Sequence, residues 1–389
     1  MESIPEFDFA SIPVLESMSS DDPSTRRVDM PNGQRVWLVS SYDEVRTVLG
    51  DERFSSDDQI PGYPRLLPIT PGTLSIVRLD EPRHGKLRHV LTPAFTFRRI
   101  EMMRPGIEEI TRELIEAMRA SGPPGELIEE FALPLPSKVI CQLLGVPYED
   151  HNMFQHHSRT ILRIDTTVEQ AADSLNALGE YIHWLAMERR ANLGDDLLSV
   201  ALHQQEAADM TDEDVVALAR LLLIAGHETA SNQLGLCVLS LFQHPDQFLA
   251  LRQDPTLMGT AVEELLRYHS VVRTSIARVA VADATLPSGQ TIQAGEGVVL
   301  GMRQANHDPD FLTMPEDFDI RRKTNSHLAF GHGIHRCLGQ TLARVELQIA
   351  LTELIRAFPD LRPTDGSLDD IRWRSNSAVL ALRRLPVTW

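Results

Sequence analysis

Ten residues near the carboxyl end, Phe330-Gly331-His332-Gly333-Ile334-His335-Arg336-Cys337-Leu338-Gly339, constrain the fold more than any other stretch. One cysteine sits in a loop punctuated by glycines, flanked by cationic side chains and followed at once by a helical pattern. Glycines allow tight backbone turns and keep bulky side chains away from the sulfur. Backbone amides and the start of the next helix stabilise a negative sulfur. A thiolate ligand to an iron porphyrin needs this arrangement, and Cys337 is the candidate metal ligand.

The rest of the chain fits a large soluble protein. Its 389 residues are 42% hydrophobic and 24% charged, ample for a sizeable core. A net charge of −18 argues against nucleic acid as a partner. Three cysteines, Cys141, Cys237 and Cys337, are too few and too scattered for a disulfide framework. Met1 to Asp22 has neither a basic start nor a long apolar run, so no signal peptide or membrane anchor is expected, and the expected location is cytoplasmic. Basic residues gather near the cysteine loop and at Arg83, Lys86, Arg88, Arg98 and Arg99. If they share one side, an acidic protein could dock there. No repeat or linker divides the chain, so one domain is expected over residues 1–389.

Periodicity predicts a mainly helical protein with a smaller β-rich region. Trp37-Leu38-Val39 reads as a strand and Ser41 to Leu49 as a short helix. Ile60 to Ile76, with four prolines, reads as a long loop. Helical patterns dominate from Pro82 to Leu202, with breaks expected at Gly122–Gly125 and at Leu133-Pro134-Leu135-Pro136. Thr211 is an N-cap candidate before Asp212, Glu213 and Asp214, opening a helix that runs to about Phe242. Strands are expected at Ser275 to Val281 and Gly297 to Leu300, with a turn at Pro287-Ser288-Gly289. A last helix follows Gly339 and stops at Pro359.

Three further constellations carry chemistry. On the long helix lies Ala225-Gly226-His227-Glu228-Thr229-Ala230, where Leu222, Ala225, Gly226 and Thr229 share a face and the small residues open room. A mid-helix glycine costs roughly 1 kcal/mol relative to alanine, so close approach of a ligand is the expected reason for Gly226. A hydroxyl beside a carboxylate suits a proton relay, the acid recharging from solvent while the alcohol donates inward. Glu264 and Arg267 place opposite charges three apart on a helix, and His84 and Arg88 lie four apart on another. Cys141 and Cys237 read as buried apolar thiols, and His156, His157 and His227 lack zinc-site spacing.

Taken together, these segments resemble the cytochrome P450 family. Phe330, Gly333, Cys337 and Gly339 match its haem loop, Phe-x-x-Gly-x-x-x-Cys-x-Gly. The hexapeptide is similar to its oxygen-activation motif, small-Gly-x-acid-Thr, with Glu228 in place of the commoner aspartate. Glu-x-x-Arg and His-x-x-x-Arg occur in family order, and the likeness runs from the Trp37 strand to Leu385-Pro386-Val387. It is greatest to soluble bacterial members, particularly those of secondary metabolism.

The resemblance implies the family's fold, with haem b (iron protoporphyrin IX) held between the long helix and the cysteine-side helix and Cys337 as axial ligand. It implies Phe330 and Gly226 beside the cofactor; His84, Arg88, Arg278 and His335 at its propionates; and Thr229 and Glu228 as the catalytic pair that delivers protons. Arg322 is the expected third member of the Glu264–Arg267 scaffold. Thiolate donation favours O–O cleavage, so the implied activity is a monooxygenase that hydroxylates or epoxidises. O2 is the co-substrate, and NAD(P)H electrons arrive through a separate ferredoxin and ferredoxin reductase. By family position Leu221, Ile224, Ala225, Thr274, Ile276 and Val379 line the substrate pocket under a lid at Ile60 to Ile76. Their apolar character suits a mid-sized polyketide, terpenoid or modified peptide, acted on by a monomer. A peroxide-driven or isomerising enzyme and a haem-based sensor are the alternatives of a different class.

Overall fold

The computed structural model describes residues 23–30, 32–73, 76–272, 276–323, 326–364, 368 and 371–389. The amino-terminal stretch 1–22, read above for leaders and anchors, lies outside the described residues, as does Thr274.

Helices dominate. They are α1 (Tyr42–Gly50), α2 (Arg83–Leu91), α3 (Phe97–Ser121), α4 (Pro134–Leu144), α5 (His151–Ile161) and α6 (Val168–Ala191), followed by α7 (Leu197–Gln204), α8 (Asp212–Gln243), α9 (Pro245–Gln253), α10 (Met258–His269), α11 (Met302–Asn306) and α12 (Gln340–Ala357). Among the described residues, no helix is long and apolar enough to cross a membrane.

The central element is α8. It starts where expected, because the Thr211 side chain accepts from Asp214 N–H while Asp214 accepts from Thr211, a reciprocal cap. Three acidic residues in its first turn complement the positive end of the helix dipole. It is apolar nearly all round, as suits a helix with neighbours on every side, and it packs against α4, α5, α6, α7, α10 and α12. One expected break proves to be a start. Leu133-Pro134 opens α4, because proline fits the first helical turn, where its missing N–H is not needed.

A five-stranded sheet flanks the helices. It runs in the order Thr25–Asp29, Arg35–Val39, Gly297–Leu300, Ala277–Ala280 and Phe54–Ser55. Arg35–Val39 pairs parallel to Gly297–Leu300, and the other ladders are antiparallel. This sheet encloses a second core with α1 and α11, around Trp37, Val39, Val45, Leu49 and Val298. The Pro287-Ser288-Gly289 turn joins Ala284–Thr285 to Thr291–Ile292, with Gly289 at φ +88°. In the expected lid, residues 60–73 contain no helix or strand, residues 74–75 lie outside the described residues, and Ile76 opens a single helical turn, Ile76–Arg78.

Glu264 and Arg267 form the scaffold knot. Arg267, 1% exposed, donates through Nε and Nη2 to both Glu264 oxygens at 2.7 and 2.8 Å, and to the carbonyls of Asn306, Pro315 and Asp317. Arg322 joins as expected, its Nε 3.2 Å from Glu264 Oε1. Its Nη groups bind the carbonyls of Thr313, Met314 and Asp317. The network therefore pins residues 306–322, the segment leading into the cysteine loop.

Candidate active site

Gly333 shows why the cysteine loop needs glycine. Its φ is +70°, and a Cβ there would lie 2.2 Å from the Leu49 carbonyl oxygen. The glycine therefore seats the loop on the end of α1. Cys337 N–H donates to Phe330 O at 2.8 Å, closing the loop on itself, and the Arg344 guanidinium covers the Phe330 ring at 4.6 Å. Arg344 is fixed by Glu263 at 2.6 and 2.9 Å, and Glu263 also meets His327 Nε2 at 3.2 Å. Burial alone would raise the Glu263 pKa; the hydrogen bonds from His327 and Arg344 outweigh it and hold the carboxyl at about 2.

Cys337 is accessible to solvent yet enclosed by protein, so it faces an internal opening rather than the outer surface. Burial raises its pKa, against the Gly339 backbone N–H and the positive charges of Arg88, Arg344 and Arg336. Loop and helix alone do not ionise it; a metal ion would.

Next to the loop lies a group of cations. The His84 and His335 rings are 4.3 Å apart, and each buries an Nε2 atom with no hydrogen-bond partner. Arg88 Nη2 donates to Arg336 O at 2.7 Å, and Arg278, 4% exposed, donates to Ala277 O at 2.8 Å. Burial pushes Arg278 down to about 10 and, with the charges of Arg278, His84, Arg88 and Arg78, holds His335 near 3. Unsatisfied imidazoles beside buried guanidinium groups call for an anion, and the two carboxylates of a haem fit. The four residues named from the sequence are therefore brought together. The wider basic gathering is divided. Arg83 pairs with Asp214, Lys86 with Asp209, and Arg99 binds the Asp195 carbonyl, while Arg88 turns to the cysteine loop.

On α8 the accessible side chains form one stripe. Leu221, Leu222, Ala225 and Thr229 are open, whereas Leu223, Ile224, His227 and Glu228 are buried. At 100° per residue the two sets fall on separate arcs of the helix, with Glu228 at the edge nearest Leu221. Two expectations need correction. Ile224 (4% exposed) packs in the core instead of lining a pocket with Leu221 and Ala225. Gly226 serves a neighbouring helix, since a Cβ there would lie 2.7 Å from Ile140 Cδ1 on α4. Val379 is also 3% exposed and offers little surface to a ligand, while Ile276 is partly open and packs on the sheet-side core.

Thr229 Oγ1 donates to Ala225 O at 2.8 Å. Glu228, 1% exposed, turns the other way, between Arg159 Nε at 3.2 Å and Arg374 Nη1 at 3.5 Å. Behind it opens a polar cavity of about 490 Å3, lined by Glu129, Gln155, Arg159, Arg163, Arg374 and Arg383 among others. This cavity is charged, and none of the open residues on the α8 stripe lines it. Arg159 and Arg374 escaped sequence reasoning because they lie 69 and 146 residues from Glu228. Cys141 and Cys237 are buried, and burial pushes both thiols up to about 12. Among the described residues, no cluster of histidine, cysteine and carboxylate suits a metal ion.

The "Cytochrome P450" family model matches residues 142–372. The chain belongs to this family. It is 40% identical to cytochrome P450-SU2 of Streptomyces griseolus over 388 residues, covering 98% of this chain and 94% of that protein. It is also 40% identical to pentalenic acid synthase of Streptomyces avermitilis, covering 93% and 90%. Among solved structures, the mycinamicin VIII C21 methyl hydroxylase MycCI of Micromonospora griseorubida superposes with a TM-score of 0.89 at 38% identity, covering 95% and 94%. The fold is thus the cytochrome P450 fold, the enzyme class is monooxygenase, and the family implies haem-thiolate iron.

Proposed function

We propose that the whole chain is one haem domain that hydroxylates or epoxidises a mid-sized, largely apolar molecule of bacterial secondary metabolism. Its electrons come from NAD(P)H by way of a ferredoxin and its reductase. The observation that carries this is the division of α8 into two faces. An open apolar stripe ends at Thr229, and a buried carboxylate, Glu228, backs onto a polar cavity. Pentalenic acid synthase and the mycinamicin VIII C21 methyl hydroxylase support the reading, the one named for an acid it makes and the other for hydroxylating a methyl group of a small organic molecule.

Haem, when bound, supplies the redox chemistry that activates dioxygen and inserts one oxygen atom into the substrate. Cys337 would hold its iron, and His84, Arg88, Arg278 and His335 would neutralise its carboxylates. Leu221 and Ala225 bind the substrate by apolar contact and exclude water from the stripe. Glu228 takes protons from the cavity behind it, where Arg159 and Arg374 hold it in place. Thr229 receives the proton at its hydroxyl, now bonded to Ala225 O, and donates it inward. A sensor or isomerase has no use for a buried carboxylate backed by a polar cavity, which favours the oxygenase.

Thr229→Ala tests the reading. The variant is expected to keep the spectrum of its carbon monoxide complex while product formed per NAD(P)H consumed falls about tenfold or more. Full coupling in the variant would remove Thr229 from the mechanism.

A further inference from the structure

The cations near the cysteine loop are four in the sequence reading, and the structure puts a fifth beside them. Arg78 ends a single helical turn, Ile76–Arg78, that follows the lid loop, and its side chain is 13% exposed. Its guanidinium lies over the Tyr63 ring at 5.1 Å, and Nη1 donates to the Tyr63 hydroxyl. Tyr63, 3% exposed, in turn donates to the Ala277 carbonyl at 3.3 Å, the carbonyl that also accepts from Arg278. Arg78 and Arg278 thus meet through one tyrosine and one carbonyl.

The contacts of Arg78 on its other side lead into the lid. Its Nε stands 3.9 Å from Asp58 Oδ2, a slack distance for an ion pair, while Asp58 Oδ1 accepts from Gly72 N–H at 2.7 Å. Among the described residues, Arg78 Nη2 makes no hydrogen bond. The nearby acids are already engaged. Asp80 accepts from Ser55 and Ser56, and Glu81, half exposed, faces His84. Three permanent cations, Arg78, Arg88 and Arg278, therefore stand around two histidines whose Nε2 atoms are unpartnered, with Asp58 at a slack distance and Asp80 and Glu81 held by other groups. Two unpartnered imidazole nitrogens beside buried guanidinium groups suit an anion with several acceptor oxygens.

We propose that Arg78 is an additional haem-anchoring residue, binding a haem carboxylate and, through Tyr63 and Asp58, fastening residues 57–73 over the site. Haem loading then closes the loop that covers the substrate entrance. This inference rests on the haem reading above and reaches past it to a coupling between cofactor and lid.

The test uses the haem-loaded full chain, with Arg78→Gln, Arg78→Lys and Tyr63→Phe. Haem loss to excess apomyoglobin is followed in the Soret region, and hydrogen–deuterium exchange of residues 57–73 is measured in each loaded protein. Loss is expected to be about tenfold faster or more in Arg78→Gln, as removal of a charge-assisted bond requires, with Arg78→Lys intermediate. Exchange of residues 57–73 should rise in both Arg78→Gln and Tyr63→Phe. If Arg78→Gln does not fold, Arg78→Lys and Tyr63→Phe carry the same test. Wild-type rates of haem loss with unchanged loop exchange would overturn the proposal. A wild-type protein that takes up no haem would sink the earlier reading instead, so the two failures are distinguishable.

Discussion

Glu346 gives the sharpest quantitative prediction. It lies on α12, 5% exposed, and burial alone lifts its carboxyl pKa from 4.5 to about 8. The folded chain therefore keeps a proton that the unfolded chain releases above pH 4.5. Between those values the native state binds more protons, so stability is greatest at acidic pH and falls as pH rises toward 8. At about 1.36 kcal/mol per unit, a gap of about three and a half units corresponds to a loss on the order of 5 kcal/mol. Glu346→Gln removes the ionisation and keeps the shape. Urea unfolding of both proteins from pH 5 to 8 should show the variant gaining on the wild type by about 1 kcal/mol per pH unit, most of it below pH 7.5. A stability difference that does not change with pH would refute the reasoning and mean that the folded protein holds Glu346 ionised.

Three smaller predictions follow. Glu264→Gln leaves Arg267 buried without a counter-charge and should cost about 3–5 kcal/mol in unfolding free energy, read from denaturant midpoints. Glu264→Gln combined with Arg267→Met should recover part of that loss, because the uncompensated buried cation is gone. Glu228→Gln should leave the haem spectrum intact while turnover falls about a hundredfold, checked by product formation at saturating substrate.

What the sequence made legible was local. The cap at Thr211 follows from short-range chemistry, as do the arginine three residues after Glu264, the loop around Cys337 and the turn at Gly289, and the structure bears each out. Arg322 needed the family likeness, because it lies 58 residues from Glu264. The failures concern direction and distance. Gly226 was read as room for a ligand, but which way its missing Cβ points depends on Ile140, eighty-odd positions earlier in another helix. Ile224 sits beside Ala225 in sequence and about 100° from it on the helix, enough to put it in the core. Arg159, Arg374 and Arg78 look like ordinary solvated charges, and only the fold sets them around Glu228 and the cation cluster.

Everything proposed for this site depends on Cys337 holding a haem iron through its sulfur. Reduction of the purified protein under carbon monoxide tests it most directly. A strongly red-shifted Soret band, the signature of a thiolate opposite carbon monoxide, is expected, as is its loss in Cys337→His. A band at the shorter, globin-like wavelength, or no Soret band at all, would contradict it.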